Sequence, residues 1–345
     1  VPARSFSIDL IRCHMKFGSI EQIINDRIFL RLDEFAAGRQ VYLKLEGFNP
    51  GGSIKIKTAL ALIRDAEQNG RLFTKRKMIE SSSGNLGLSL SMIAAARGYR
   101  FTCVVDANTS LQAIGVMRAF GTEVVVIDRR DEQGGFLGNR LAYIRDALER
   151  DPDLTWLNQY QNAANPAIHA DMTARAIHEE FGKVDHLFIG AGTTGTLMGC
   201  VEYFRRHSPG TEIIAVDSVG SITFGTPGGR RHLPGLGSSV MPHFFDGSRI
   251  DRLLQIPEPE TVCACRDLAR RYGGLFGAST GTVLAGVRRL AGELGPDATI
   301  VAIAPDLGGL YVDTVYNDNW CDDTYGQAWR DALGQIHVME NLENV

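Results

Sequence analysis

The most constraining feature of this chain is an alternation, kept up over most of its length, between short β-branched runs and stretches of helical period. Runs at Val41–Leu45, Met78–Ser81, Phe101–Val105, Val124–Ile127, Leu187–Ile189, Ile213–Val216 and Ile300–Ile303 predict strands. Between two of them Leu86, Leu90, Ile93 and Ala94 recur at helical spacing, which predicts a helix over Leu86–Arg97 stopped by Gly98. A second helix is predicted over Leu111–Phe120. Strand and helix in alternation build parallel sheets covered by helices, so the predicted class is α/β. So many parallel strands exceed one small sheet. We therefore expect two lobes, 1–157 and 158–345, with the first 45 or so residues free to cross onto the other lobe. The polar segment Asp151–Asn165 is the expected crossing, and a cleft between lobes is the default ligand site. The aromatic, acidic tail beyond Tyr316, with Trp320 and Trp329, is expected to pack over the second lobe.

Composition narrows the function classes. The net charge of −4 supplies no basic footprint for nucleic acid. At 44% hydrophobic and 22% charged residues the chain reads as globular. No apolar run approaches the roughly 18 residues that span a bilayer, and the opening VPARSFSIDLIRCHMKF lacks a signal-peptide pattern, so the expectation is a cytoplasmic protein with no membrane partner. Cys13, Cys103, Cys200, Cys263, Cys265 and Cys321 include no C-x-x-C pair, so we expect reduced, buried thiols and no metal site. Glycine is over-represented, 38 of 345 residues. Without a G-X-Y period, the excess belongs to turns and close backbone approaches.

Three glycine-rich junctions and one lysine carry the chemistry. Gly190-Ala-Gly192-Thr193-Thr194-Gly195 follows a predicted strand and opens a helix, with Asp217 at the end of the next strand. That matches a dinucleotide fingerprint, and an NAD-dependent oxidoreductase is one reading. The hydroxyls of Thr193, Thr194 and Thr196 beside helix N-terminal amides favour a single terminal phosphate, and a plain tight turn is the third possibility. Asn49-Pro50-Gly51-Gly52-Ser53-Ile54-Lys55 lies between strand and helix. Lys55 is either a solvated surface lysine or an amine that the helix N-terminus presses toward its neutral, nucleophilic form. In Ser81-Ser82-Ser83-Gly84-Asn85-Leu86-Gly87 the serines either cap the helix or form a nest for a substrate carboxylate.

Taken together and in order, these segments resemble the pyridoxal-phosphate enzymes of the cysteine synthase and cystathionine β-synthase family, over roughly residues 20–315. That resemblance implies the two-lobed fold type II architecture, pyridoxal 5′-phosphate as cofactor and a homodimer. It implies that Lys55 forms the Schiff base and that Gly192, Thr193, Thr194, Gly195 and Thr196 cradle the phosphate. Ser82, Ser83, Gly84, Asn85 and Leu86 would receive the substrate carboxylate, with Asn85 also near the cofactor's phenolic oxygen and Gln159 reaching the same carboxylate. Ser279, in Gly277-Ala-Ser279-Thr-Gly281, would face the ring nitrogen. A neutral hydroxyl there does not hold the pyridine protonated, which favours loss of a β-leaving group over long-lived quinonoid chemistry. Lys55, once freed by substrate, is placed to act as general base at the α-carbon.

Departures from plain cysteine synthases point to the substrate. The usual Asp-Arg after the lysine is Ile56-Lys57, the Thr after Gly-Asn is Leu86, and Gly-x-Arg-Tyr is replaced by Gly309-Leu310-Tyr311. Together with Cys103–Asp106 and Leu233–Gly237, the pattern looks most like the branch of the family that makes N-(2-amino-2-carboxyethyl)-L-glutamate from O-phospho-L-serine and L-glutamate through an α-aminoacrylate, supplying L-2,3-diaminopropionate for siderophores or peptide antibiotics. Anionic small-molecule substrates call for added cationic or hydroxyl groups. Arg140, after Gly134-Gly135-Phe136, and Tyr160 are the candidates, a surface ion pair and core packing being their respective alternatives. Gly235 and Gly237 are expected to line the entrance, while His169 and His232 are read as structural. Cysteine synthase is the alternative activity within the family.

Overall fold

The computed structural model describes residues 16–36, 39–72, 76–131 and 135–334. Cys13, Gly134, most of the opening segment and the last residues of the tail lie outside the described residues.

Among the described residues, ten strands form two sheets. The larger contains β1 (Phe29–Leu32), β2 (Gln40–Leu45), β7 (His186–Gly190), β8 (Glu212–Ser218), β9 (Arg252–Ile256) and β10 (Thr299–Ala304), in the order β1-β2-β10-β7-β8-β9. In this sheet β1 runs antiparallel to β2, and the other described pairs are parallel. The smaller contains β3 (Lys77–Ser81), β4 (Arg100–Asp106), β5 (Glu123–Ile127) and β6 (Leu154–Trp156), in the order β5-β4-β3-β6, all parallel. Each predicted strand and helix is present within one or two residues of its predicted ends. The helix ending at Arg97 stops at Gly98, whose φ of 71° is the left-handed conformation that a Cβ disfavours. Three strands were not predicted: β1, β6 and β9. The segment 151–165 is accordingly not a simple crossing, because β6 within it belongs to the smaller sheet.

Helices cover both sheets, and α5 (Ala164–Ile168) and α6 (Arg175–Phe181) lie between β6 and β7 along the chain. α1 (Lys55–Gln68), α2 (Asn85–Arg97) and α3 (Leu111–Ala119) bury Ile56, Leu60, Ile63, Leu90, Ile93 and Met117 with Met78, Phe101 and Val105 of the smaller sheet. α4 (Leu137–Arg150) buries Ile144 on the other face against Ile79 and Val104. On the larger sheet, α7 (Gly195–His207) packs Leu197, Val201 and Phe204 on one face. α8 (Glu258–Tyr272) and α9 (Ala278–Leu290) pack Leu268, Val283 and Val287 on the other. Burying one such aliphatic side chain contributes about 1.5–3 kcal/mol, which is why strands covered on both faces read as unbroken apolar runs. Near the C-terminus, α10 (Asp318–Tyr325) and Trp329 pack with Leu233, Val262 and Tyr311. Cys103, Cys200, Cys263, Cys265 and Cys321 are free and buried.

Because the strands run parallel, their carboxyl ends meet on one side. The ends of β2, β10 and β7 emit, respectively, the turn before Lys55, the segment Pro305–Asp306 and the loop 190–195, while β3 emits Ser81–Gly84. In open α/β sheets this is the edge where ligands bind.

Candidate active site

Pro50, Gly51 (φ 81°) and Gly52 (φ 70°) turn the chain sharply after β2, and Lys55 is the first residue of α1. Ser53 Oγ accepts from the Lys55 amide at 3.3 Å, and Ile54 N donates to Pro305 O at 2.7 Å, which locks this turn to the end of β10. Lys55 opens onto a cavity lined also by Gly190, Gly192, Thr193, Thr194, Gly195 and Thr196. Burial lowers its amine below the ordinary lysine value, partly offset by the Asp306 carboxylate, and the neutral form is the nucleophile.

The loop facing Lys55 is built for an anion. Thr194 takes φ 64°, a conformation costly for a residue with a branched Cβ, and its buried Oγ1 has no hydrogen-bond partner. A Cβ at Gly195 would overlap the Asn165 amide, so only glycine admits that packing, and one at Gly192 would lie a tight 3.0 Å from Gly235 O. Gly235 (φ 107°) and Gly237 (φ 80°) belong to a segment pinned by Gly237 N donating to Ala191 O at 2.9 Å. Thr196 Oγ1 lies 3.3 Å from His169 Nε2, which also meets Thr58 Oγ1 at 3.0 Å, while Nδ1 meets Thr173 Oγ1 at 3.1 Å. His169 is thus a satisfied structural group, held neutral by burial and by Lys57, Lys55 and Lys44.

Beneath this loop lies a buried ionic cluster. Lys57 Nζ donates to Glu46 Oε1 at 2.7 Å and to Thr173 Oγ1 at 3.1 Å, and Lys44 pairs with Glu46 at 3.1 Å. Burial opposes the charge on Glu46, but Lys57 and Lys44 hold its carboxyl below the ordinary value.

The serine loop divides its labour. Ser82 Oγ accepts from Gly87 N at 3.0 Å and so caps α2, as the simpler reading of this loop allows. Ser83 Oγ donates to Asp106 Oδ2 at 2.5 Å and accepts from Arg140 Nη1 at 2.6 Å. Arg140, from α4, pairs with Asp106 at 3.4 Å and leaves its buried Nε unpartnered. It is not a surface ion pair, since it stands against the loop. Gln159 Nε2 donates to Ser81 O at 2.7 Å, and Tyr160 OH lies 3.5 Å from the same carbonyl. Leu86 is buried in the smaller-sheet core.

Sequence reasoning missed Asp306, Glu80 and Tyr311. Asp306 Oδ2 accepts from Asn85 Nδ2 and from Tyr311 OH, each at 2.8 Å, and Oδ1 accepts from Ser279 Oγ at 3.2 Å. Burial raises its carboxyl above the ordinary value, against these donors and Lys55. Its signal was position, one residue beyond Pro305 at the carboxyl end of the apolar run Ile300–Ala304. Glu80, beneath the serine loop, accepts from Ser81 N at 2.8 Å, Gln159 N at 3.0 Å and Trp156 Nε1 at 3.2 Å. Burial pushes it up to about 7.

An amine facing a phosphate-ready loop, with the Asn85–Ser279–Asp306 group beside it, fits pyridoxal phosphate. The family model described as "Pyridoxal-phosphate dependent enzyme" matches residues 20–306. The chain belongs to this family. It is 36% identical over 337 residues to an N-(2-amino-2-carboxyethyl)-L-glutamate synthase of Ralstonia nicotianae, covering 95% of this chain and 98% of the relative. Among solved structures, O-ureido-L-serine synthase superposes with a TM-score of 0.82 at 32% identity, over 92% of this chain and 100% of the other. The O-acetylserine-dependent cystathionine β-synthase of Helicobacter pylori gives 0.81 at 27% identity, over 88% and 100%. The chain is therefore a pyridoxal-phosphate-dependent enzyme of β-replacement with a cysteine synthase-like, fold type II architecture. The dinucleotide reading of Gly190–Gly195 is overturned by this membership. Among the described residues no helix is long and apolar enough to cross a membrane.

Proposed function

We propose that this protein condenses O-phospho-L-serine with L-glutamate to give N-(2-amino-2-carboxyethyl)-L-glutamate and inorganic phosphate. The C–O bond to phosphate breaks, a C–N bond to the glutamate nitrogen forms, and that nitrogen gives up a proton. Pyridoxal phosphate, when bound, supplies an electron sink for negative charge at the substrate α-carbon. Lys55 holds the cofactor through its amine and moves the α-proton at Nζ. Gly192 through Thr196 hold the cofactor phosphate, with the unpartnered Thr194 hydroxyl among the donors. The loop Ser82–Leu86 takes the substrate carboxylate, supported from beneath by Gln159, and Ser279 faces the cofactor's ring nitrogen. Arg140 and Tyr160 serve the anionic groups of the substrates, and Gly235 borders the entrance.

The observation that carries the choice of substrate is the Arg140 guanidinium, which donates to Ser83 and pairs with Asp106 while its buried Nε stays unpartnered, a cation beside the substrate loop with a donor left for an anionic group. The named Ralstonia relative supports the same choice. Supply of 2,3-diaminopropionate for a siderophore or peptide antibiotic, a homodimer, a division at residue 157 and a cytoplasmic setting complete the proposal. The test is mass spectrometry of products formed from O-phosphoserine with glutamate, sulfide and other amines in competition. The glutamate adduct should dominate; cysteine as the main product would replace this reading with a sulfhydrylase.

A further inference from the structure

His169 opens a π-helical turn, His169–Ala174, a feature that recurs at functional sites. α7 packs so closely on this turn that a Cβ at Gly199 would overlap Pro166 O and lie 2.8 Å from His169 Cβ. The two ring nitrogens are engaged from opposite ends, and each end dictates the direction of its hydrogen bonds. One end is Lys57. Burial opposes the charge on Lys57, but Glu46 and Asp26 hold its ammonium above the ordinary value, so Lys57 Nζ donates to Thr173 Oγ1 at 3.1 Å. With that oxygen accepting, the Thr173 proton goes to His169 Nδ1 at 3.1 Å, its remaining partner among the described residues. Nδ1 is therefore the bare nitrogen.

The other end is Asn165. Its Nδ2 donates to Gln159 O at 2.9 Å, which turns Oδ1 toward Thr58 Oγ1 at 3.3 Å, and an amide oxygen only accepts. The Thr58 proton is committed there, so Thr58 Oγ1 receives from His169 Nε2 at 3.0 Å. The ring is kept uncharged by burial and by Lys57, Lys55 and Lys44, and both ends place its single proton on Nε2. Thr196 Oγ1 lies 3.3 Å from the same Nε2 and lines the cavity in front of Lys55. A nitrogen that carries a proton does not accept one from Thr196. The threonine oxygen receives from the ring, and its own proton is left for the cavity.

Resting on the reading above that Gly192 through Thr196 hold the cofactor phosphate, we infer that His169 is a positioning residue. Through a one-way chain of hydrogen bonds from Lys57 to Asn165, it makes Thr196 a donor to that phosphate. The opposite tautomer would draw the Thr196 proton onto Nε2 and turn a lone pair toward an anion. The buried ionic cluster beneath the loop thus acts on the phosphate site through Thr173 and His169, without touching it.

Nitrogen NMR of the holoenzyme labelled with ¹⁵N-histidine reads the tautomer directly, the His169 signals being identified by their loss in His169→Gln. Nε2 should lie at the protonated position and Nδ1 at the unprotonated one. The link to Thr196 is read from cofactor dissociation. Thr196→Val should weaken pyridoxal phosphate binding roughly 10- to 100-fold, the loss of a hydrogen bond to a charged group, whereas Thr196→Ser keeps the hydroxyl and should bind as wild type does. His169→Leu should weaken binding roughly 3-fold, with no further loss in the Thr196→Val background. If the leucine variant does not fold, the tautomer measured on the unaltered enzyme decides. A proton on Nδ1, or a His169→Leu loss that persists in full beside Thr196→Val, would overturn the inference and leave the phosphate loop standing. Cofactor binding by Thr196→Val as tight as wild type would overturn the reading of that loop and the inference together.

Discussion

Arg140 on α4 donates to Ser83 Oγ at 2.6 Å, joining a helix that covers one face of the smaller sheet to the loop at the carboxyl end of β3. The contact turns a residue that could have been a surface arginine into a cation at the substrate loop. Arg140→Ala should lower kcat/KM for O-phosphoserine by roughly 10- to 100-fold, the loss of a charge-assisted hydrogen bond of about 1.5–3 kcal/mol. O-acetylserine, whose ester group is uncharged in the bound substrate, should lose much less. Steady-state kinetics on both substrates checks this, and equal losses would remove Arg140 from leaving-group recognition.

Gly195→Ala places a methyl group into the buried Asn165 amide, which is itself held by Nδ2 donating to Gln159 O at 2.9 Å. Because Asn165 is buried and held by that bond, overpacking of about 1–3 kcal/mol is expected. The variant should melt lower and hold less cofactor, read by thermal unfolding and by visible absorbance. Wild-type stability with full cofactor content would show that this close approach is unimportant.

Lys57→Met would leave the Glu46 carboxylate buried with Lys44 as its remaining lysine partner. Removing one partner from a buried ion pair costs about 3–5 kcal/mol, and the residual Lys44 contact favours the lower part of that range. Adding Glu46→Gln should recover part of the loss in denaturant titrations. A single variant as stable as wild type would contradict the buried-pair description.

Glu80 has its folded-state value raised to about 7 by burial, from 4.5. Above pH 4.5 the unfolded chain gives up this proton while the folded chain keeps it until pH 7, so stability contributed here falls as pH rises through that window. The loss is of order 3 kcal/mol at most. Chemical denaturation at pH 5 and pH 8 should show a smaller drop for Glu80→Gln than for wild type. An identical drop would place the titration elsewhere.

Most of the fold was legible because interior parallel strands are covered on both faces and carry continuous apolar runs, as in Ile300–Ile303 and Ile213–Val216. The missed strands, β1, β6 and β9, are all edge strands. Edge strands are short and carry polar residues such as Arg31 and Arg252, which blurs the pattern. Lys55 and the loop 192–196 were legible because each is a local junction whose composition already states its chemistry. Asp306 was not, since an aspartate after a strand reads as a turn former. Its role exists only through partners distant in sequence, Asn85 and Ser279. Glu80 was hidden likewise, because alternation cannot distinguish a buried carboxylate held by backbone amides from an outward-facing one.

Everything proposed for this site depends on the Lys55 amine carrying the cofactor opposite the threonine-bearing loop. Borohydride reduction of the cofactor-saturated enzyme, followed by peptide mass spectrometry, measures this most directly. A reduced phosphopyridoxyl mass is expected on Lys55 and none in the Lys55→Ala variant, which should also lose visible absorbance and turnover. An unmodified Lys55 in fully loaded, reduced enzyme would contradict it.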